Sequence, residues 1–280
     1  MGRSLPHDRG PARAVDYGDR VKIALMDSGI GLLAAAAAVR RLRPDADLLL
    51  SSDPDGMPWG PRTPRSLTER ALLVARAVAA RGPDALIVAC NTASVHALPA
   101  LRAELEPGIP VIGTVPAIKP AASGGGSVAI WATPATTGSP YQRGLIRDFA
   151  QGVEVTEVPC PGLADAVEKA DEQAIDRAVA AAAALTPPHP AALVLGCTHY
   201  ELVARRIRDA VAGTGPAPVL YGSAEAVAAQ ALRRGGIEPA PGAEPSRRLS
   251  VLLSGREADL PAPALAYAEG RLLGAGAAVS

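Results

Sequence analysis

A chain of 280 residues, 48% of them apolar, can bury a sizeable core as one large domain or as two of about 100–150 residues each. Its 28 basic and 28 acidic side chains cancel and the arginines form no stripe, so neither a nucleic-acid footprint nor an acidic tail is present. Three widely spaced cysteines, Cys90, Cys160 and Cys197, exclude a disulfide framework and point to reduced thiols in a cytoplasmic setting. Residues 1–20 carry arginine, proline and glycine without the apolar stretch of a signal peptide, and are expected to form a disordered arm.

Beyond the arm, apolar runs alternate with longer helical patterns, which predicts a parallel α/β architecture. Strands are expected at 22–26, 46–50, 85–89, 110–113, 127–131, 153–158, 191–196, 218–221 and 248–253. The run 30–39 is too short to cross a bilayer and arginines follow it, so no membrane partner is expected. Pro44 should end the first helix. "SLTE" at 66–69 has the form of a capping box that opens the next helix. The segment 51–66 holds four prolines, two glycines and a tryptophan, and a loop of this length is functional or disordered. Pro99 should shorten or kink the helix that follows Cys90. The glycine run at 123–127 reads as a connector into a second lobe.

Two stretches share one frame. "DALIVACNTAS" and "AALVLGCTHYE" each read as a strand, then cysteine, then threonine at a helix start. This weak repeat suggests two similar lobes, each presenting a thiol at the carboxyl edge of its sheet, where ligands of open α/β sheets bind. A thiol has a pKa near 8.5, and a helix N-terminus stabilises its thiolate. Cys90 and Cys197 could then face one carbon from opposite sides, one removing a proton and the other returning one. A buried free cysteine is also an ordinary core residue, and Cys160, in "VPCPG", lacks the frame and reads as structural. "MDSGIG" at 26–31 offers Asp27 and Ser28 beside glycines that would let the backbone approach a carboxylate. Taken alone, it reads more simply as an N-cap. His199 is placed to exchange a proton with a thiol, or to act as a cap. Thr133, Thr136 and Ser139 could bind a carboxylate or cap the next helix. There is no CxxC, HxH, HExxH or phosphate-binding loop, and none of the three lysines has a setting for a Schiff base, so no metal or cofactor is expected.

In order, "DSGIG", "PWG", "ACNTAS", "TPATTGSPY", "CPGLADAVE" and "LGCTHY" resemble the glutamate racemase family of the aspartate/glutamate racemase superfamily, from Lys22 to about Leu253. The resemblance implies two pseudo-symmetric parallel-sheet α/β domains with the active site in the cleft between them. It places residues 21–113 plus 222–280 in the first lobe and 114–221 in the second, with hinges near Gly113 and Tyr221. It implies cofactor-independent interconversion of L- and D-glutamate, a small-molecule substrate, for a peptidoglycan precursor. By resemblance Cys90 acts on one face of the α-carbon, assisted by Asp27. Cys197 acts on the other, assisted by His199 with Glu168 behind it. Ser28, Asn91, Thr92 and Thr198 hold the α-carboxylate and amine. The loop of Pro58, Trp59 and Gly60 meets the side-chain carboxylate, with Thr133 and Thr136 as further donors. The family forms dimers in several arrangements, which leaves a homodimer open.

The chain departs from the family at four places. Leu32 replaces a glycine, Trp59 a tyrosine, Glu201 a proline and Gly222 a common aspartate. Leu32 and Trp59 are expected to reshape the cavity wall and with it the substrate. Aspartate or another small acidic amino acid is therefore an alternative substrate. Two further readings stay open: a maleate-isomerase-like enzyme, which also keeps two cysteines, and a binding protein without turnover.

Overall fold

The structure, a computed structural model, describes residues 20–246 and 248–275; the arm expected at 1–20 lies, Arg20 apart, outside the described residues. Among the described residues ten strands run in chain order as β1 (Lys22–Asp27), β2 (Asp47–Ser52), β3 (Ala85–Val88), β4 (Val111–Gly113), β5 (Val128–Ala132), β6 (Val155–Pro159), β7 (Ala192–Leu195), β8 (Val219–Tyr221), β9 (Leu249–Leu253) and β10 (Arg256–Ala258). The nine expected strands are all present, with ends shifted by at most two residues. β10 is additional: three exposed residues, two of them charged, carry no apolar signal, and their charge suits an edge strand.

The strands form two sheets, ordered β10-β9-β2-β1-β3-β4 and β6-β5-β7-β8. Every pairing is parallel except β10 on β9. The core of the first sheet, β2-β1-β3-β4, has the same order as the second when β5 is matched to β1. The two parallel-sheet lobes are thus built alike. The central strands β1, β3, β5 and β7 are buried almost throughout, as unbroken apolar runs require when helices cover both faces. In this order the chain's direction of winding reverses between β1 and β3, and between β5 and β7. Ligand crevices open at the carboxyl ends of such strands. Asp27 ends β1 and Cys90 follows β3; Thr133 follows β5 and Cys197 follows β7.

The helix Leu33–Leu42 explains part of the alanine content. Leu33 to Val39 are all buried, and the helix packs against Ala224–Arg234 and Ala268–Gly274, where small side chains permit close approach. It stops before Pro44, as expected. The next helix, Pro64–Ala79, begins two residues before the expected box. Thr63 is its N-cap, accepting from the Ser66 amide, because Pro64 suits the first helical position. After Cys90 the helix Asn91–His96 breaks at Ala97, and Leu98–Leu105 carries Pro99 in its first turn.

Two departures from the family meet in space. The half-buried Glu201 carboxylate accepts the Ser223 amide (2.8 Å), the Ser223 hydroxyl (2.9 Å) and the Ala224 amide (3.3 Å), and so caps the helix Ala224–Arg234. A Cβ at position 222 would lie 2.5 Å from the same carboxylate, so Gly222 leaves the room that Glu201 occupies.

Candidate active site

A cavity of about 440 Å³ opens between the carboxyl edges of the two sheets. Asp27, Ser28, Cys90, Asn91 and Thr92 reach it from the first lobe, with the backbone stretch that includes Pro58, Trp59 and Gly60. Thr133, Thr136, Glu168, Cys197, Thr198 and His199 reach it from the second. Ser139 apart, the catalytic and substrate-binding residues expected from the sequence thus line one space. The local cause is the same in each lobe: a buried strand ends, a cysteine in extended conformation serves as N-cap residue, and a helix turns away. Gly196 is required before Cys197, because a Cβ there would lie 2.7 Å from the Trp131 carbonyl oxygen of the neighbouring strand.

The surroundings of the two thiols differ. Asp27, fully buried, accepts the Ser28 amide (2.6 Å) and hydroxyl (3.3 Å) on Oδ1 and the Thr198 hydroxyl (3.2 Å) on Oδ2. Burial raises its pKa to about 6, against the opposing pull of His199 and the Ser28 amide. Burial, and then the charge of Asp27, push the Cys90 thiol well above its ordinary range. On the other side, Cys197 Sγ lies 3.9 Å from His199 Nδ1, and His199 Nε2 lies 2.8 Å from Glu168 Oε2. Burial opposes protonation of His199, but its bonds to Cys197 and Glu168 and the nearby Asp27 outweigh it, and the pKa rises well above the usual histidine value. The bond to Glu168 thus favours the protonated ring and fixes its orientation.

The glycines of "DSGIG" do receive a carboxylate, but it is the protein's own. Glu168 Oε2 also accepts the Ile30 amide at 2.8 Å, and a Cβ on Gly29 would lie 2.1 Å from that oxygen. A Cβ on Gly31 would lie 2.5 Å from Asp27 Oδ2, 2.5 Å from Thr198 Oγ1 and 2.7 Å from His199 Nδ1. The N-cap reading of Asp27 and Ser28 fails: Gly29 is the N-cap residue of the short helix Ile30–Leu32, and the side chain on its first amide is that of Glu168. Asn91 joins the lobes from the other side, donating Nδ2–H to the Gly196 carbonyl at 2.9 Å. Its buried Oδ1 has no partner among the described residues. Thr133 and Thr136 bond each other through their hydroxyls at 3.2 Å, and the capping of Pro140–Phe149 falls to Ser139.

One expectation about the wall is corrected. Leu32 is 3% exposed, packs in the core and does not line the cavity. Trp59 does line the cavity, and its indole N–H donates behind the wall to Asp53 at 2.9 Å. Cys160 is a buried thiol with its pKa pushed up to about 12 by burial, as a structural cysteine should be, yet it also lines the cavity. Asp165, one turn before Glu168, is a lining residue that sequence reasoning misses, since an acid on a helix carries no distinguishing signal. No lysine or arginine is among the described lining residues. Among the described residues no group of three or more His, Cys, Asp or Glu side chains is disposed to hold a metal ion, and no helix is long and apolar enough to cross a membrane.

Two like parallel-sheet lobes with a thiol from each in one cavity define a class: two-lobed α/β enzymes that work in the cleft between their sheets. The chain belongs to the Asp/Glu/hydantoin racemase family, whose model matches residues 31–236. A glutamate racemase of Roseiflexus sp. (strain RS-1) is 41% identical over 196 residues, 68% of this chain and 71% of the relative. One from Pseudomonas putida (strain W619) is 36% identical over 217 residues, 76% and 80% of the two chains. Among solved structures, Escherichia coli glutamate racemase in complex with L-glutamate and the activator UDP-MurNAc-ala is similar with a TM-score of 0.71 at 29% identity, over 79% of this chain and 85% of that one.

Proposed function

We propose that the protein interconverts L- and D-glutamate by two-thiol acid–base chemistry, supplying the D-enantiomer for a peptidoglycan precursor. The observation that carries the reading is the pair Cys90 and Cys197, one from each lobe, in a cavity that also holds Asp27 and the His199–Glu168 pair. The thiolate of one cysteine takes the α-proton: the C–H bond breaks, an S–H bond forms, and the carbon flattens as its charge spreads into the α-carboxylate. The thiol of the other cysteine then gives its proton to the opposite face, and an S–H bond breaks as the new C–H bond forms. The buried Asp27 beside Cys90 and His199 beside Cys197 take up or return the thiol protons between turnovers. Glu168 keeps His199 charged and oriented.

Glutamate carries two carboxylates, and the described lining residues include no lysine or arginine. Backbone amides of the Trp59–Gly60 stretch and the hydroxyl and amide groups of Ser28, Asn91, Thr92, Thr133, Thr136 and Thr198 supply neutral donors in their place. Such donors hold the substrate without placing a second cation beside the sulfurs. The relatives named glutamate racemase support this choice of amino acid.

The test is proton NMR in D2O with each enantiomer of glutamate, then aspartate and other small amino acids, without added cofactor. The α-proton signal of both glutamate enantiomers should disappear, and Cys90→Ala and Cys197→Ala should each abolish interconversion. Faster loss with another amino acid would reassign the substrate, and wild-type exchange rates in either cysteine variant would overturn the two-thiol mechanism.

A further inference from the structure

The cavity wall includes five consecutive residues, Met57 to Pro61, in a segment without strand or helix. What holds them lies behind the wall. Asp53 is completely buried, and its carboxylate takes four donors: Trp59 Nε1 (2.9 Å), Arg70 Nε (2.9 Å), Arg70 Nη2 and Ser254 Oγ (2.9 Å). Burial opposes ionisation, but these bonds prevail and keep the carboxyl below its ordinary pKa. The Asp53 amide donates to the Ser28 carbonyl at 3.1 Å, so the same residue is tied to the turn that carries Asp27. A Cβ at Gly56 would lie 1.9 Å from Asp53 Oδ2, so the chain passes as close to the anchor as glycine allows.

Ser254 comes from the far end of the sequence. It sits in the turn between β9 and β10 with φ of 48°, a left-handed conformation that serine rarely adopts. Besides donating to Asp53, its hydroxyl accepts the Asp55 amide at 3.1 Å, and the nearby Arg256 pairs with Asp55 at 2.8 Å. No residue of β9 or β10 is among the described lining residues of the cavity. The hairpin turn nevertheless reaches the wall through one buried carboxylate.

We infer that Asp53 is a positioning residue of the active site: clamped by Arg70 and Ser254, it holds Trp59 and so sets the backbone of Met57–Pro61 that faces the substrate. Trp59 commits its indole N–H to this anchor while lining the cavity. A wall held by charge-assisted bonds is preorganised, and substrate binding then orders little. The functional half of this inference rests on the reading that this cavity takes the amino acid.

The experiment uses Asp53→Asn, which keeps the shape and removes the charge, and Ser254→Gly, which removes the hydroxyl and relieves the left-handed strain. Amide hydrogen exchange is followed without substrate, and KM and kcat are measured for whichever amino acid the wild type turns over. Both variants should speed exchange at residues 56–62 selectively. Both should raise KM about tenfold, with kcat changing much less, as loss of uniform binding requires. Protection of 56–62 as in the wild type, faster exchange spread evenly over the molecule, or an unchanged KM with a loosened segment would overturn the inference. A wild type that exchanges no amino-acid α-proton would instead defeat the substrate reading, and hydrogen exchange would still decide whether Asp53 anchors the wall.

Discussion

Gly31→Ala should disable the site from a position that touches no substrate. The added methyl would stand 2.5 Å from Asp27 Oδ2, 2.5 Å from Thr198 Oγ1 and 2.7 Å from His199 Nδ1. All three belong to buried groups held by other bonds, and none is the free end of a long side chain. Relief to ordinary contact needs a movement of about 1 Å, by these groups or by the short helix Ile30–Leu32. Overpacking of this kind costs about 1–3 kcal/mol of stability. A misplacement of about 1 Å at a catalytic group costs on the order of a hundredfold in rate. Both quantities are measurable on one sample, stability by urea unfolding and rate by α-proton exchange in D2O. Gly242→Ala is the control, since a Cβ there meets nothing within 4 Å. If Gly31→Ala exchanges α-protons at the wild-type rate with unchanged stability, the convergence of Asp27, Thr198 and His199 on this glycine is not part of the working site.

Further outcomes follow from the charges and caps. Folding raises the Asp27 pKa from the ordinary 3.8 to about 6, so the native state binds more protons than the unfolded chain between these values and stability falls as pH rises through them. At neutral pH that corresponds to about 3 kcal/mol held against the ionised form. Asp27→Asn should therefore stabilise the protein above pH 6, gain little near pH 4, and slow exchange; equal unfolding midpoints at both pH values would refute this. His199 is also raised, so the stability from its charge is complete below the unfolded pKa and lost as pH climbs through the folded one. Glu168→Gln should lower that folded pKa and shift the alkaline fall of the pH–rate profile to lower pH, and an unmoved profile would count against the pairing. Glu201→Ala should cost about 1–2 kcal/mol through the lost helix cap. Gly222→Ala should be tolerated better in that background than in the wild type, and strictly additive unfolding energies for the pair would show that the two positions do not share space.

Much of the fold is legible in the sequence because buried parallel strands leave unbroken apolar runs, and because a cysteine after each of two such runs marks the two crevices. The edge strand β10 is not, being short and charged. Many of the lining residues can be named for the same reason that β1, β3, β5 and β7 can: they stand directly after strand ends. Their partners are harder. The contact of Glu168 with the Ile30 amide, and the clamp of Arg70 and Ser254 on Asp53, join segments 17 to 201 residues apart by single side chains, which leave no periodic trace. Leu32 misleads for a related reason. Its nearness to Asp27 in sequence suggests the cavity, but the turn of Ile30–Leu32 carries its side chain into the core.

The unlike neighbours of two like thiols have a kinetic consequence. Enantiomers have equal free energies in water, so at equilibrium a racemase holds equal amounts of each, whatever its own asymmetry. Asp27 beside one sulfur and a His199–Glu168 pair beside the other cannot favour either product. They can only divide the reaction unevenly, giving one enantiomer a higher kcat together with a KM raised by the same factor. For the true substrate, kcat/KM measured from the L and the D side must agree, and the ratio of the two kcat values reports how differently the two halves of this cleft hold their ligand.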